Sequence, residues 1–428
     1  MSNVILTAPG RLSGKVAVPP SKSYTHRAVL MASLAEGESV VSNALLSRDT
    51  NATIAACRSM GARLEQSGST LRIAGTRPMT PDDVVNAENS GTTLRFMTSV
   101  FAAAPEGYAV LTGDASIRRR PMQPLLDSLG QLGVEARSTK ANGCAPVLVK
   151  AGGIRGGDAS IRGDVSSQFV SSLLIATPMA ARDCSLVVAD AVSRPYIEAT
   201  LDLLKRFGIM IGREGYSKFR VEASQSYSPN DFAVPADFSS ASFIIAAVGL
   251  AGGSVLLEGL SPELPQGDSA ILTIASSMGM KVKQSNNSVT VESDGGGLKG
   301  GTFDLGDTPD LLPVVAALAL RCESAVEVVG TAHARFKETD RIAVLSKELA
   351  KLGVRVEERQ DGMKIQPSGE LKRATLDAHD DHRMFMAFSL ASMLVPGGVQ
   401  VEGVESLDVS YPRFLEDMVM LGAKVVRA

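Results

Sequence analysis

The sequence predicts an α/β protein of two lobes, each built from three βαβαββ repeats, around an interdomain cleft. The first observation is a short pattern, an apolar residue, Gly and then alternating apolar residues, that recurs six times. Its glycines lie at positions 61, 133, 208, 279, 353 and 422, which are 72, 75, 71, 74 and 69 residues apart. The second observation is that strand and helix patterns alternate in every copy. This period is too long for a solenoid unit and suits a small α/β subdomain.

Each copy has the same predicted elements in the same order. An apolar helix comes first, at Arg27–Ala35, Leu94–Ala103, Phe169–Ala181, Ser242–Ala251, Leu311–Arg321 and Met384–Leu394. A strand with a Gly or charged lead-in follows, at Ser39–Ser42, Tyr108–Thr112, Ser185–Val188, Ser254–Glu258, Ala325–Val329 and Gly398–Glu402. A second helix runs into the recurring Gly, at Thr50–Met60, Met122–Leu132, Tyr196–Phe207, Gly267–Met278, Arg341–Leu352 and Pro412–Leu421. The Gly supplies the left-handed residue that ends a helix, and short strands such as Leu71–Ile73 and Ser288–Val291 close most copies.

Two segments are predicted to connect the lobes. One is Val234-Pro235-Ala236, between the third and fourth copies, and the other is Val18-Pro19-Pro20-Ser21. One lobe would comprise residues 21–236. The other would comprise residues 237–428 together with residues 1–20, provided that a first strand at Val4–Val18 pairs with the C-terminal copies. Two connections make a hinge, and the cleft beside a hinge is a common place for a ligand.

The composition excludes several classes of protein. The chain has 428 residues, of which 44% are hydrophobic and 21% charged, and its net charge is -3. Proteins that bind mainly nucleic acid or membrane surfaces are usually net basic, so neither partner is expected. The four cysteines are far apart, which predicts neither a disulfide framework nor a zinc site. Because no secretory leader or membrane-spanning run is found, we expect a cytoplasmic protein.

A short polar group precedes the first helix of every copy. The groups span residues 21–27, 89–95, 164–168, 237–241, 307–310 and 380–383. Ser, Thr and Asp suit helix N-caps, and at Ser239-Ser240 capping alone is the simplest interpretation. A cap needs no cation, however, and the helix dipole disfavours the cations found at Lys22, Arg27, Arg95 and Arg383. Helix amides combined with a cation indicate an anion site, and several facing one cleft would bind a polyanionic small molecule.

Two further charged segments stand out. Arg118-Arg119-Arg120 precedes a helix and is compatible with either a solvated turn or a binding site. Lys337-Glu338-Thr339-Asp340-Arg341 places two cations and two carboxylates at a helix start. That arrangement suits either i,i+4 pairing or acid–base chemistry. We also single out His382, which lies between Asp381 and Arg383. No Walker A, HExxH or GxSxG motif is present.

An ordered set of motifs carries a family resemblance over nearly the whole chain. The motifs are Ser21-Lys22-Ser23-x-x-x-Arg27, Asn89-x-Gly91-Thr92-x-x-Arg95, Arg120-Pro121-Met122, Ser166-Ser167-Gln168, Ser193-x-Pro195-Tyr196, Pro309-Asp310, Lys337-Glu338-Thr339-Asp340-Arg341 and Asp381-His382-Arg383-Met384. Together they closely resemble the 5-enolpyruvylshikimate-3-phosphate (EPSP) synthase family. The resemblance implies the inside-out α/β barrel fold of enolpyruvyl transferases. It also implies the sixth step of the shikimate pathway, which leads to chorismate and the aromatic amino acids. The family is the target of glyphosate.

The resemblance implies a reaction and its site. The family transfers the enolpyruvyl group of phosphoenolpyruvate to the 5-hydroxyl of shikimate 3-phosphate and releases phosphate, through a tetrahedral intermediate. It implies no cofactor and no metal, and we expect a monomer. Shikimate 3-phosphate would be held by Lys22, Ser23, Arg27, Ser166, Ser167, Gln168, Ser193, Tyr196, Asp310 and Lys337. Phosphoenolpyruvate would be held by Lys22, Gly91, Arg120, Gln168, Arg341 and Arg383. The catalytic candidates are Lys22, Asp310, Lys337, Glu338 and His382.

Some positions depart from the family pattern, and two alternatives stay open. Val409 stands where a Lys is frequent, and Lys424 is a candidate substitute. His333 stands where an Asn is common, and Phe96 where a Pro is frequent. One alternative is the sister family, UDP-N-acetylglucosamine enolpyruvyl transferase, but no Cys lies in the loop at 113–121. The other alternative is a non-catalytic homologue that binds small anions.

The hinge interpretation makes a prediction about shape in solution. Candidate shikimate contacts lie mostly in residues 21–236 and acid–base candidates in 237–428, so ligand should draw the lobes together. Small-angle scattering should therefore show a smaller radius of gyration once shikimate 3-phosphate and an unreactive phosphoenolpyruvate analogue are both added. An unchanged radius would contradict the hinge.

Overall fold

Strands and helices alternate along the whole described chain, which comprises residues 3–367 and 369–427 of a computed structural model. Its α-helices are α1 (Lys22–Leu34), α2 (Arg48–Ser59), α3 (Gly91–Ala102), α4 (Gln123–Gln131), α5 (Ser167–Ala176), α6 (Arg194–Arg206), α7 (Phe238–Ala251), α8 (Ala270–Ser277), α9 (Leu312–Ala319), α10 (Arg341–Lys351), α11 (His382–Ser392) and α12 (Phe414–Met420). Short 3-10 helices occur at Ile117–Arg119, Thr177–Met179, Gly267–Ser269, Pro309–Leu311, Ala332–Phe336 and Val404–Val409.

The strands are short and follow the helices in a regular order. They are β1 (Val4–Thr7), β2 (Leu12–Ala17), β3 (Gly37–Ser42), β4 (Arg63–Ser67), β5 (Thr70–Gly75), β6 (Val85–Asn86), β7 (Tyr108–Thr112), β8 (Ala136–Ser138), β9 (Val147–Lys150), β10 (Gly157–Arg162), β11 (Cys184–Ala189), β12 (Ile211–Glu214), β13 (Lys218–Val221), β14 (Phe232–Ala233), β15 (Gly253–Glu258), β16 (Lys281–Gln284), β17 (Ser288–Ser293), β18 (Gly301–Asp304), β19 (Val326–Val329), β20 (Val356–Arg359), β21 (Gly362–Ile365), β22 (Thr375–Asp377), β23 (Gln400–Glu402) and β24 (Lys424–Arg427).

The described strands form six four-stranded sheets that share one topology. Their orders are β14-β3-β5-β4, β6-β7-β9-β8, β10-β11-β13-β12, β2-β15-β17-β16, β18-β19-β21-β20 and β22-β23-β1-β24. In each sheet the first pair is parallel and the other two pairs are antiparallel. The sixfold repeat predicted from the glycine spacing is therefore a repeat of one mixed α/β unit.

The N-terminal segment is two strands and not the single strand predicted at Val4–Val18. β1 lies between β23 and β24, whereas β2 pairs in parallel with β15, in a different sheet. The break falls at Pro9-Gly10, where Pro lacks the N–H that a continuous ladder needs. Both strands pair with the C-terminal half of the chain. β14, which precedes α7, pairs in turn with β3 in the N-terminal half.

The chain divides into two compact units. Residues Pro20–Val234 form one, here called the N-terminal unit; Met1–Pro19 and Pro235–Ala428 form the other, the C-terminal unit. In the C-terminal unit, α7, α9 and α11 are buried on nearly all sides, as expected of helices that are apolar around their whole circumference. In the N-terminal unit, α1, α3 and α5 are buried in the same way. The first helix of each repeat is thus its inner helix.

Five inner helices begin earlier than predicted, and this matters for function. α1, α3, α5, α7 and α11 start at Lys22, Gly91, Ser167, Phe238 and His382, so polar residues predicted to precede them occupy the first turn. Backbone amides of a first turn lack partners within the helix, so these residues lie beside free donors. The predicted C-terminal glycines are confirmed, since all six have φ between 83° and 105°. No helix in the described residues is long and apolar enough to cross a bilayer.

Candidate active site

In the N-terminal unit, two guanidinium groups and an amide converge on the start of α3. A Cβ placed on Gly91 would lie 3.1 Å from Nη1 of Arg120, 3.3 Å from Nη1 of Arg95 and 3.5 Å from Oε1 of Gln168. Arg95 Nη1 donates to Gln168 Oε1 over 2.6 Å, and Gln168 Nε2 donates to Thr92 Oγ1 over 2.9 Å. The helix amides and the positive end of the helix dipole are at the same place. This arrangement suits a small anion.

Arg120 is a buried cation, 7% exposed, whose hydrogen bonds go to neutral groups. Its Nη2 donates to Asn89 Oδ1 over 2.9 Å and to Ser116 Oγ over 3.1 Å, and within the described residues its Nε has no hydrogen-bond partner. A buried charge without a counter-charge is costly, so the arrangement favours binding an anion. Arg118 and Arg119, the other two members of the triple Arg, are exposed.

Lys22 lies at the start of α1 and reaches a carboxylate of α2. Its Nζ is 3.2 Å from Oδ2 of Asp49, a residue that the sequence analysis did not single out. The contact is largely buried, and it holds the ammonium beside the first turn of α1. The positive charge of Lys22 is therefore partly balanced by the carboxylate of Asp49.

A buried hydrogen-bonded chain connects the starts of α1, α2 and α3. His26 Nδ1 is 2.7 Å from Thr53 Oγ1, and Thr53 Oγ1 is 2.6 Å from Thr93 Oγ1. Burial, with smaller contributions from Lys22 and Arg27, lowers the pKa of His26 well below its ordinary value. The imidazole is therefore neutral near pH 7 and acts as a hydrogen-bonding link between helices.

Arg27 is almost fully buried, and each of its nitrogens has a partner inside the protein. Nε donates to Thr200 Oγ1 over 2.8 Å, Nη1 to the Ser23 carbonyl over 2.9 Å and Nη2 to the Tyr196 carbonyl over 3.1 Å. The guanidinium also lies over the Phe96 ring, with its carbon 5.2 Å from the centroid. Burial lowers the pKa of Arg27 to about 10. These contacts join α1 to α6, so Arg27 fixes the helices that carry Ser23 and Tyr196.

The remaining predicted shikimate-phosphate contacts of this unit lie at two helix starts. Ser166 caps α5, since its Oγ accepts from the Gln168 amide over 3.3 Å; it also accepts from Arg95 over 3.4 Å. Ser167 is the buried first residue of α5. Ser193, just before α6, has φ 52°, in the left-handed region, and is buried. The structure thus brings Ser166, Ser167 and Gln168 together.

In the C-terminal unit, the guanidinium of Arg341 binds three carboxylates. The side chain is 1% exposed; Nε lies 2.8 Å from Asp381 Oδ2, Nη1 2.8 Å from Asp310 Oδ1 and Nη2 2.9 Å from Glu338 Oε2. Burial acts to lower the pKa of Arg341, but the carboxylates overcome it and raise that pKa above its ordinary value. Arg341 is therefore a fixed cation that holds both predicted acid–base carboxylates in place.

Asp310 contacts three cations at once. Its Oδ1 is 3.3 Å from Lys337 Nζ and 2.8 Å from Arg341 Nη1, and its Oδ2 is 3.1 Å from Arg383 Nη2. Burial lowers the pKa of Lys337, while the attraction of Asp310 opposes that change. A lysine with a lowered pKa exchanges its proton more readily near neutral pH. The segment Lys337–Arg341 is therefore more than a solvated helix end.

His382 is fully buried, and its Nδ1 lies 3.9 Å from Asp381 Oδ1. The imidazole therefore lies beside Asp381, the carboxylate that binds Nε of Arg341. His333 is buried in the 3-10 helix Ala332–Phe336. Val409 is buried in the 3-10 helix Val404–Val409, while Lys424 is exposed on β24.

The capping interpretation of Ser239-Ser240 is wrong about the acceptor. Asp237 is the N-cap of α7, and its Oδ2 accepts from the Ser240 amide over 3.0 Å. Ser239 Oγ instead accepts a hydrogen bond from Arg383 Nη1. A carboxylate accepts well from the third amide of a helix, so Ser239 is left available for the arginine.

Three carboxylates of these clusters were not among the predicted site residues. Asp49 and Asp268 lie in no recognised motif, and Asp381 belongs to the motif Asp381-His382-Arg383-Met384 but was assigned no role. The position of Asp381 close to Arg383 at a predicted helix start could have identified it as a site residue. Within the described residues, no three His, Cys, Asp or Glu side chains are grouped so as to hold a metal ion.

The comparison with known proteins gives the family. The family model described as EPSP synthase (3-phosphoshikimate 1-carboxyvinyltransferase) matches residues 6–418. The chain belongs to the EPSP synthase family. It is 47% identical over 419 residues to the 3-phosphoshikimate 1-carboxyvinyltransferase of Methanothermobacter thermautotrophicus, covering 97% of each chain. It is 42% identical over 425 residues to the enzyme of that name from Methanocaldococcus jannaschii, covering 99% of each.

A solved structure agrees with the fold. EPSP synthase from Acinetobacter baumannii matches with a TM-score of 0.81 and 27% sequence identity, covering 99% of this chain and 100% of that one. The family and the fold class predicted from the motifs and the repeat are therefore confirmed. The match is to this family, and it does not support the interpretation as a UDP-N-acetylglucosamine enolpyruvyl transferase.

The contrast between buried and exposed arginines predicts a difference in binding. Arg120→Ala should weaken phosphoenolpyruvate binding by about 1.5–3 kcal/mol, the scale of a charge-assisted hydrogen bond. Arg118→Ala and Arg119→Ala serve as matched controls and should change it far less, because both side chains are exposed. Dissociation constants from calorimetry or KM values for phosphoenolpyruvate would measure this. Equal effects at all three positions would indicate a diffuse positive surface.

Proposed function

We propose that this chain has 3-phosphoshikimate 1-carboxyvinyltransferase activity. It transfers the enolpyruvyl group of phosphoenolpyruvate to the 5-hydroxyl of shikimate 3-phosphate and releases phosphate. The observation that carries the proposal is the start of α3, where the buried guanidinium of Arg120 meets Arg95, Gln168 and the helix amides at Gly91. A protein with a net charge of -3 has no general affinity for anions, so a site of this kind indicates a dedicated anionic ligand.

The charges of the substrates fit the two clusters. Phosphoenolpyruvate and shikimate 3-phosphate carry about five or six negative charges at neutral pH, from two carboxylates and two phosphates. We assign phosphoenolpyruvate to Lys22, Gly91, Arg120, Gln168, Arg341 and Arg383. We assign shikimate 3-phosphate to Lys22, Ser23, Arg27, Ser166, Ser167, Gln168, Ser193, Tyr196, Asp310 and Lys337. Arg27 would act chiefly by fixing its neighbours, because its three nitrogens already have protein partners.

The reaction needs two proton movements that carboxylates and an ammonium can perform. The 5-hydroxyl loses a proton as its oxygen attacks C2 of phosphoenolpyruvate, and C3 gains a proton as the tetrahedral intermediate forms. Loss of that C3 proton then expels phosphate and restores the double bond. Asp310 and Glu338 are the acid–base carboxylates in this proposal, with Lys337 as the ammonium partner. Their shared contact with Arg341 supports the assignment, because it keeps both in fixed positions.

Lys22 and His382 take supporting roles in the proposal. Lys22, beside Asp49, offers an ammonium that stabilises negative charge on the substrates. His382 orients Asp381 and so the guanidinium of Arg341. We further propose a monomer that acts in the cytoplasm, where phosphorylated substrates are retained because their charges prevent passage through lipid.

The activity is tested by phosphate release. Purified protein should release phosphate from phosphoenolpyruvate when shikimate 3-phosphate is present. Replacing shikimate 3-phosphate with UDP-N-acetylglucosamine should abolish release. Release that depends on the nucleotide sugar would support the sister activity, and binding of both substrates without any release would indicate a non-catalytic homologue.

The role of Glu338 is tested by an isosteric substitution. Glu338→Gln keeps the volume and most of the contact with Arg341 but cannot move a proton. Turnover should fall by about 10²–10⁴-fold, the usual contribution of acid–base catalysis, with much smaller changes in KM. Glu292→Gln, at an exposed position on β17, is the matched control and should leave turnover unchanged.

Exchange of solvent deuterium into C3 of phosphoenolpyruvate gives a second readout for Glu338. Exchange needs reversible protonation at C3, so it should fall together with turnover in Glu338→Gln. If turnover stays within about tenfold of wild type and only thermal stability falls, Glu338 is a structural partner of Arg341. If exchange persists at the wild-type rate while turnover falls, Lys337 becomes the better candidate for the C3 acid.

A further inference from the structure

In the C-terminal unit, the segment that precedes α8 is fastened to the start of α7. The side-chain amide of Gln266 donates to the Ala236 carbonyl over 2.8 Å and accepts from the Phe238 amide over 3.1 Å. Two hydrogen bonds from one side chain fix the register of the two segments. Asp268, two residues further on in the 3-10 helix Gly267–Ser269, therefore has a defined place beside the first turn of α7.

The carboxylate of Asp268 is buried, 4% exposed, and faces charged groups from several elements. It accepts a hydrogen bond from the Ser239 hydroxyl, is attracted by Arg383 and is repelled by Asp310 and Asp237. Burial first, and Asp310 second, raise the pKa of Asp268 to about 6. The carboxyl is therefore ionised at neutral pH and takes up a proton in mild acid.

A short chain of contacts leads from Asp268 to the guanidinium of Arg383. The Ser239 hydroxyl donates to Asp268 and accepts from Arg383 Nη1. The other terminal nitrogen, Nη2, lies 3.1 Å from Asp310 Oδ2. One guanidinium is thus held at both ends, by one carboxylate directly and by another through a hydroxyl. A planar guanidinium that is hydrogen-bonded at two nitrogens points its remaining N–H groups in a fixed direction.

We propose that Asp268 is a positioning residue that acts through Ser239 to set the direction in which Arg383 meets phosphoenolpyruvate. The inference rests on the proposed function, which assigns Arg383 to that substrate, and it adds a residue that lies in none of the motifs. Asp268 does not touch the substrate in this arrangement. Its effect should appear in the affinity for phosphoenolpyruvate and hardly in the chemical step.

The ionisation of Asp268 gives the proposal a pH dependence. As the pH falls through about 6, the carboxyl takes up a proton and its attraction for Arg383 is lost. The charged groups that face it are Asp237, Asp310 and Arg383. The KM for phosphoenolpyruvate should therefore rise as the pH falls through this range, with a component that belongs to Asp268 alone.

The first test removes the charge and then the side chain. Asp268→Asn keeps an acceptor for Ser239, so KM for phosphoenolpyruvate at pH 7.5 should rise about 3- to 10-fold, with kcat within about twofold of wild type. Asp268→Ala removes the acceptor and should raise KM about 10- to 100-fold. In Asp268→Asn the component of the KM change near pH 6 that belongs to Asp268 should also disappear. Asp294→Asn is the matched control, an exposed aspartate of the same unit whose side chain accepts from the Gly296 amide. An unaltered pH profile of KM in Asp268→Asn would overturn the proposal.

The second test asks whether Asp268 and Ser239 act as one unit. Ser239→Ala should raise KM for phosphoenolpyruvate. The double variant Ser239→Ala/Asp268→Ala should have a KM no higher than that of whichever single variant has the higher KM. Additive effects would overturn the link. Ser239→Ala leaves the Asp237 cap of α7 intact, so it is expected to fold even where Asp268→Ala does not. If the wild type shows no turnover, the proposed function fails. In that case the link between Asp268 and Ser239 is tested by the same cycle measured as unfolding free energy, with Asp268→Asn in place of Asp268→Ala. Non-additive losses of stability confirm the link, and additive losses overturn it.

Discussion

A guanidinium taken out of water must be matched by charge, and Arg341 meets this requirement with three carboxylates. The carboxylates come from separate places in the sequence: the 3-10 helix Pro309–Leu311, the turn before α10, and the N-cap of α11. Removing one carboxylate would leave part of a buried charge uncompensated, which costs several kcal/mol. The contacts that compensate Arg341 therefore also bring Asp310 and Glu338 to one place. The same guanidinium contributes to the fold and holds together the carboxylates proposed for acid–base chemistry.

The six repeats share a topology but differ at the first turn of the inner helix. In the N-terminal unit the N-cap residues of α1, α3 and α5 are Ser21, Ser90 and Ser166. In the C-terminal unit α7 and α11 are capped by Asp237 and Asp381, and Asp310 lies just before α9. A serine leaves the positive helix end uncompensated, whereas an aspartate supplies the negative charge itself. The inner helices of the N-terminal unit thus keep their positive ends, whereas α7 and α11 of the C-terminal unit carry a carboxylate there.

The sequence predicted what local signals determine. The sixfold period, the helix-ending glycines and the α/β class follow from short patterns, and the family follows from an ordered set of motifs; all were confirmed. The break between β1 and β2 was missed, although Pro9 marked it, because both halves are apolar enough to continue one strand. Asp49 and Asp268 were missed because their importance comes from partners far away in sequence, Lys22 at a distance of 27 residues and Arg383 further still. The roles of the site residues stay predictions.

The positions of Asp268 and Asp310 explain why one motif arginine needs a residue outside the motifs. Arg383 has a direct carboxylate partner in Asp310, but that carboxylate is shared with Lys337 and Arg341. A single carboxylate divided among three cations cannot by itself orient each of them. The hydroxyl of Ser239, backed by Asp268, fixes the second nitrogen of Arg383 and removes that freedom. In the proposed reaction a proton transferred within the cluster changes the charge on Asp310, and under the same proposal the contact with Ser239 keeps Arg383 in place during that change.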